Sequence, residues 1–232
     1  YAMIQNDMSD VQTVSLNNTE IAFSYKSDEE LKKTYLIFSA INLPVLTKAG
    51  TKLVKIALKL KLPINGILKK TIFQQFCGGE SIRSCEPTIK QLAYHRVKTI
   101  LDYSAEGGND EASFEHVTQE TLATIERARN DDKLPFCVFK PTGIADAALL
   151  EKIQSGSKLT SEEESAFERV RQRMDTLCKA TYDAGKSIFI DGEESWIQDV
   201  IDKLVYEMMA KYNKERAVVY NTYQMYRRGM MP

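Results

Sequence analysis

The sequence predicts an α/β fold of the (βα)8 TIM-type barrel class, with about the first four βα units present and an N-terminal helical region before them. Three observations lead there. From Thr99 onward, short apolar β-branched runs alternate with longer helical patterns, the signature of βαβ units on a parallel sheet. Each run ends in a polar residue just before its loop, where barrel enzymes carry their chemistry. The glycine-rich first turn of a nucleotide-binding doubly wound sheet is missing, because Ala105-Glu106-Gly107-Gly108-Asn109 lacks the GxGxxG spacing and Gly78-Gly79 follows no strand.

In chain order, residues 1–95 form the helical arm and 96–232 the first half of the barrel domain. Between Leu31 and Gly79 there is no Asp or Glu, whereas Lys32, Lys33, Lys48, Lys52, Lys55, Lys59, Lys61, Lys69 and Lys70 are all present. Lys52, Lys55 and Lys59 recur at helical spacing opposite Leu53, Ile56, Ala57 and Leu60, which predicts an amphipathic helix ended by Pro63. Its lysine face reads as a solvated surface or as one resting on anionic lipid. Strands are expected at Thr99–Tyr103, Phe136–Lys140, Ser187–Asp191 and Ala217–Tyr223, apolar along most of their length as strands covered on both faces should be. Helices are expected at Ala112–Asn130, Ala145–Gln154, Ser161–Asp183 and Glu193–Tyr212. Ser161 with Glu164 reads as a capping box, and Gly156 and Gly185 stand where helix C-termini hand over.

Composition excludes several classes. A net charge of −1, with 27% charged residues, gives no electrostatic basis for nucleic-acid binding. The four cysteines form no CxxC pair, and two lie in apolar stretches where a free thiol acts as a small hydrophobe, so a reducing compartment fits. His95 and His116 stand apart from any cysteine or carboxylate cluster, so no metal site is expected. With no long apolar run and no leader pattern, a cytoplasmic location is expected.

Lys140 ends the apolar run Phe-Cys-Val-Phe and is held by Pro141-Thr142-Gly143 at the mouth of the expected barrel. A lysine there serves as a Schiff-base nucleophile, as a cation for a substrate carboxylate, or as a strand-end side chain reaching solvent. Asp191 ends the next strand in the same way. Glu193 and Glu194 are accounted for as acids at the N-terminus of the following helix. Gln224 can donate and accept at once, which suits a heterocycle, although capping the next helix would also occupy it. Glu106 lies in a glycine-flanked loop, as a mobile ion-pair partner or a solvated acid.

Several strings resemble, in order, blocks of the proline dehydrogenase family in its monofunctional bacterial form. They are FCGGES from Phe76, LDYSAEGG from Leu101, VFKPTGI from Val138, FIDGEESWIQ from Phe189, and VVYNTYQMYRR from Val218 to Arg228. The resemblance implies a (βα)8 barrel that binds FAD non-covalently and oxidises L-proline to 1-pyrroline-5-carboxylate by hydride transfer. A quinone or other acceptor would take the electrons, with a peripheral place at the inner membrane face. It implies that Lys140 pairs with the proline carboxylate and that Asp191 stands beside flavin and substrate. Gln224 would hydrogen-bond the flavin ring, and Glu106 would ion-pair with an arginine from the eighth helix, which this chain does not reach. Gly192 stands where the family usually has Ala. Four strands alone leave open edges, so the chain as given is expected to be inactive and to form a homo-oligomer. Two other readings compete: a Schiff-base aldolase using Lys140, and a non-catalytic half-barrel assembly module.

Overall fold

The computed structural model describes residues 17–103 and 108–228. They divide into two compact units between Gly79 and Glu80, so the helix that follows, assigned to the arm from sequence, belongs to the second unit.

The first unit is helical. A short α1 (Thr19–Ala22) precedes α2 (Asp28–Ile41), whose N-terminus is closed by a capping box: the Ser27 hydroxyl accepts from the Glu30 amide while Glu30 accepts from that of Ser27. Pro44 opens α3 (Pro44–Lys59), where its missing N–H is no loss. The helix stops at Lys59, four residues before Pro63, and Lys61 turns into the left-handed region at φ 53°. Then come α4 (Asn65–Leu68), a π turn (Lys69–Phe73) and α5 (Gln74–Phe76). Lys33 and Thr34 of α2 bond the Gln74 and Gln75 side chains at 2.8 Å each. Neither α2 nor α3 has a buried residue.

The second unit holds α6 (Ile82–Tyr94), α7 (Glu111–Ala128), β1 (Phe136–Phe139), the single turn α8 (Pro141–Ile144), α9 (Ala147–Gln154), α10 (Ser161–Asp183), β2 (Ser187–Ile190), α11 (Gln198–Tyr212) and β3 (Val219–Asn221). The strands form a parallel sheet in the order β1-β2-β3, with Phe136 opposite Ser187 and Ile190 opposite Asn221. Parallel neighbours need long crossovers, and α9, α10 and α11 supply them. The expected first strand, Thr99–Tyr103, is reduced to one parallel bridge between Leu101 and Cys137.

The expectation that both faces of the sheet are covered does not hold among the described residues. Cys137, Phe139, Ile188, Ile190 and Val219 are buried against Val170, Met174, Leu177, Ile201, Leu204 and Val205 of α10 and α11 in one continuous core. Phe136, Phe189 and Tyr220 on the other face are half-buried; the Phe136 and Phe189 rings stack 4.5 Å apart and Tyr220 meets both edge-on. Among the described residues, helices therefore line one face only. Three buried threonines of α7, Thr118, Thr121 and Thr124, satisfy their hydroxyls on carbonyls one turn back, so they fit the core without orphaned donors.

The capping box of α10 sits one residue earlier than expected, because Thr160 keeps extended backbone and pairs with Glu163. Gly156 and Gly185 follow helix ends at φ 71° and 70°, conformations that favour glycine. Among the described residues no helix is long and apolar enough to cross a membrane.

Candidate active site

Three chain crossings meet at the carboxyl ends of β1, β2 and β3. Lys140 is the first residue after β1; Pro141 then starts α8, and the Lys140 carbonyl accepts from the Gly143 amide at 3.0 Å. That tight exit holds the lysine side chain over the strand ends, where its ammonium pairs with a Glu193 carboxylate oxygen at 2.7 Å. The lysine is mostly enclosed, at 19% exposure, and the glutamate is not, at 53%. Glu193 therefore joins the candidate site. The sequence-based expectation that it belongs to the N-terminus of the next helix is corrected, because a 3-10 turn at Ser195–Ile197 delays α11 until Gln198.

Asp191 follows β2. Its amide extends the ladder by one bond, donating to the Phe139 carbonyl at 3.0 Å. Its carboxyl is raised from its ordinary value, first by burial and then by the Glu193 charge, with Asp102 adding to the effect. Lys140 and a hydrogen bond with Thr222 pull the other way. Thr222 also latches the β2 end to the β3 end: its hydroxyl donates to the Ile190 carbonyl at 2.9 Å and accepts from the Gly192 amide at 3.3 Å.

Gln224 lies three residues beyond β3 and is buried, at 4% exposure. Its amide nitrogen donates to the Gly192 carbonyl at 3.1 Å, while its oxygen is buried with no partner among the described residues. The amide therefore holds the Asp191–Gly192 turn and caps no helix among the described residues. Gln198 behaves similarly: its nitrogen donates to Asp202 at 2.8 Å, and its buried oxygen lacks a described partner. Asn221 donates to that same Asp202 oxygen at 2.7 Å. A Cβ on residue 192 would lie 2.5 Å from the Gln198 oxygen, so the backbone here passes close enough to require glycine unless Gln198 moves.

Lys140, Asp191 and Gln224 are thus brought into one neighbourhood, and Glu106 lies outside the described residues. Sequence reasoning missed Glu193, Thr222 and Gln198. The signal for Glu193 was its place two residues from Asp191 with Trp196 interrupting any immediate helical pattern; Gln198 left none, since polar residues at helix starts are ordinary.

Among the described residues, the fold and this candidate site define an α/β protein with helices on one face of a parallel sheet and a charged cluster at the strand ends, where barrel enzymes carry their chemistry. A family model described as proline dehydrogenase matches residues 85–232. The chain is 29% identical to "Proline dehydrogenase 1, mitochondrial" of Dictyostelium discoideum over 90% of this chain and 43% of that one. It is 32% identical to "Carbapenem antibiotics biosynthesis protein CarD" of Pectobacterium carotovorum subsp. carotovorum, over 65% of this chain and 40% of the relative. With the Homo sapiens "Proline dehydrogenase 1, mitochondrial" it shares 40% identity over 30% of this chain and 12% of that one. The chain belongs to the proline dehydrogenase family. It spans about two fifths of the length of the first two relatives.

Proposed function

We propose that the protein containing this chain is an FAD-dependent proline dehydrogenase, which oxidises L-proline to 1-pyrroline-5-carboxylate and passes the electrons to a quinone or another acceptor. The observation that carries this reading is the Lys140–Glu193 pair beside Asp191. An enclosed ammonium at the strand ends already holds a carboxylate at 2.7 Å, and the partner on it is an exposed side chain that can leave. The proline carboxylate takes that place, exchanging one ion pair for another without stranding the cation. Helices on a single face of the sheet support a barrel, since a doubly wound sheet is covered on both.

The residues present fit the ring end of a flavin. The orphaned Gln224 oxygen is a buried acceptor of the kind a ring N–H would satisfy, and its nitrogen is already committed to Gly192. Gln224 and Asp191 would hold that end, and bound FAD would supply the hydride acceptor. Asp191, with its raised carboxyl, lies beside the cation that orients the substrate. Glu106 is proposed to close the site by pairing with an arginine outside this chain. Separate use of the 232-residue polypeptide would expose the Phe136–Phe189–Tyr220 face, and self-association is proposed for it in that state.

The ammonium already grips a carboxylate at 2.7 Å, the contact a carboxylate clamp makes, so Lys140 is read as a clamp and not as a Schiff-base nucleophile. The test is Lys140→Ala in the full-length protein. A carboxylate left without its cation should cost about 2–4 kcal/mol, roughly 30- to 900-fold in proline KM, with flavin retention unchanged. An unaltered KM sinks the assignment.

A further inference from the structure

We propose that Arg173 is a positioning residue for Lys140: its guanidinium pins the turn that carries the lysine, and so sets how tightly a substrate carboxylate is gripped. The inference rests on the reading of Lys140 as a carboxylate clamp and names what holds that clamp in place.

Arg173 stands on the core-facing stripe of α10 with the buried Val170, Met174 and Leu177, and is itself only 7% exposed. Packing alone does not call for a cation there, since an apolar side chain of similar volume would fill the stripe without losing water from a charge. The donors show what the charge is used for. One guanidinium nitrogen donates to the Ile144 carbonyl at 2.8 Å, in the buried interior. Another pairs with the Glu111 carboxylate at the start of α7, and the guanidinium carbon lies 5.5 Å from the centre of the Phe114 ring on the same helix. Glu111 remains half in water and also holds Arg169 at 2.8 Å, so it compensates the buried charge without being stranded itself.

Ile144 is the last residue of the single turn α8, and Lys140 is the residue just before it. Pro141, Gly143 and Ile144 are buried, and the turn packs against both α7 and α10. A four-residue turn leaves its final carbonyls without partners inside the helix, and Arg173 takes the last of them with a charge-assisted bond. The near end is closed by the Gly143 amide on the Lys140 carbonyl at 3.0 Å. Both ends are thus pinned, and the Lys140 backbone cannot shift without straining one of the two bonds. Arg171, two positions back, makes the contrast. It pairs with Glu168 at 2.6 Å and Glu207 at 2.9 Å on the exposed side of α10, where such pairs contribute little and reach no strand end.

The test uses the full-length protein with Arg173→Met, Arg173→Lys, Lys140→Ala and the Arg173→Met, Lys140→Ala double variant. Methionine fills the space without a charge, and Glu111 can turn to water, so the fold should hold. Arg173→Met should raise proline KM about tenfold with a smaller change in kcat. Arg173→Lys, which can reach one partner but not fork between two, should raise it about threefold. In the Lys140→Ala background the methionine change should add less than about twofold, because the residue it positions is gone. A second readout needs no turnover: an amine-reactive ester should acylate Lys140 at least about threefold faster in Arg173→Met, measured by mass spectrometry against exposed Lys179, because an untethered turn opens more often. Should circular dichroism show that the methionine variant has lost its fold, the same comparisons are read on Arg173→Lys. An unchanged KM, an equal penalty with and without Lys140, or Lys140 acylated no faster overturns the proposal. An unaltered KM in Lys140→Ala refutes the clamp reading itself, and the acylation rate then decides the positioning role alone.

Discussion

Asp191→Asn should make the protein more stable near neutral pH while removing the carboxylate that the candidate site needs. The Asp191 carboxyl is raised above its ordinary value of 3.8 by burial, by Glu193 and by Asp102, with Lys140 and Thr222 only partly offsetting them. A raised folded value means that the folded state binds the proton more tightly than the unfolded one. Stability is therefore greatest below the ordinary carboxylate range, falls as pH rises through the folded value, and stays lower above it. An asparagine keeps the size and can still meet the Thr222 hydroxyl, and it carries no charge to desolvate. Because the side chain is partly open to water, the gain is expected to be under about 1 kcal/mol, or at most about 2–4 °C in Tm. Thermal unfolding followed by circular dichroism from about pH 3 to about pH 7 reads it, with the two proteins converging at the acid end. Removing the favourable Lys140 charge should enlarge the gain, so Lys140→Met serves as the second background in a double-mutant cycle. A lower Tm for the asparagine protein at neutral pH, or a gain of equal size at every pH, would refute the reasoning.

Two further outcomes follow from the same packing. Gly192→Ala should destabilise by about 1 kcal/mol, because the new Cβ at 2.5 Å must push the buried Gln198 amide off Asp202. Adding Gln198→Ala should cancel most of that specific cost, and urea unfolding of the single and double variants decides it. Burial pushes the Cys137 thiol up to about 11 and the Cys178 thiol up to about 12. Exposed Cys77 should therefore react with iodoacetamide near neutral pH well before either, and mass mapping of the alkylated peptides checks the order.

What the sequence made legible was whatever local chemistry decides alone. The run before Lys140 is apolar and bounded by proline, so β1 was readable to within a residue, and the 23-residue α10 was readable at both ends. The capping box was off by one because Thr160 with Glu163 and Ser161 with Glu164 have the same spacing, and only the backbone at Thr160 chooses between them. Thr99–Tyr103 has a strand-like composition, yet Ile100 is 40% exposed and only Leu101 bridges β1. Strand propensity records fit to a half-buried surface, and a run without a full ladder does not register as a strand.

The site followed the same division. Lys140, Asp191 and Gln224 were visible because each is a polar residue beside an apolar run. Glu193 was hidden by its neighbours, since an acid shortly before a helix already has an ordinary explanation in the helix dipole. What separates the two readings is tertiary: the 3-10 turn at Ser195–Ile197 holds Glu193 back from α11, and the exit turn after β1 swings Lys140 to meet it. The pairing explains how an enclosed lysine tolerates its position, because its charge is compensated by a side chain that remains half in water. It also gives the cluster a built-in competitor for any substrate carboxylate. Glu193→Gln should therefore strengthen carboxylate binding at Lys140 while relaxing the upward push on Asp191. A glutamate that merely served the helix dipole, too far from Lys140 to compete, would leave both unchanged.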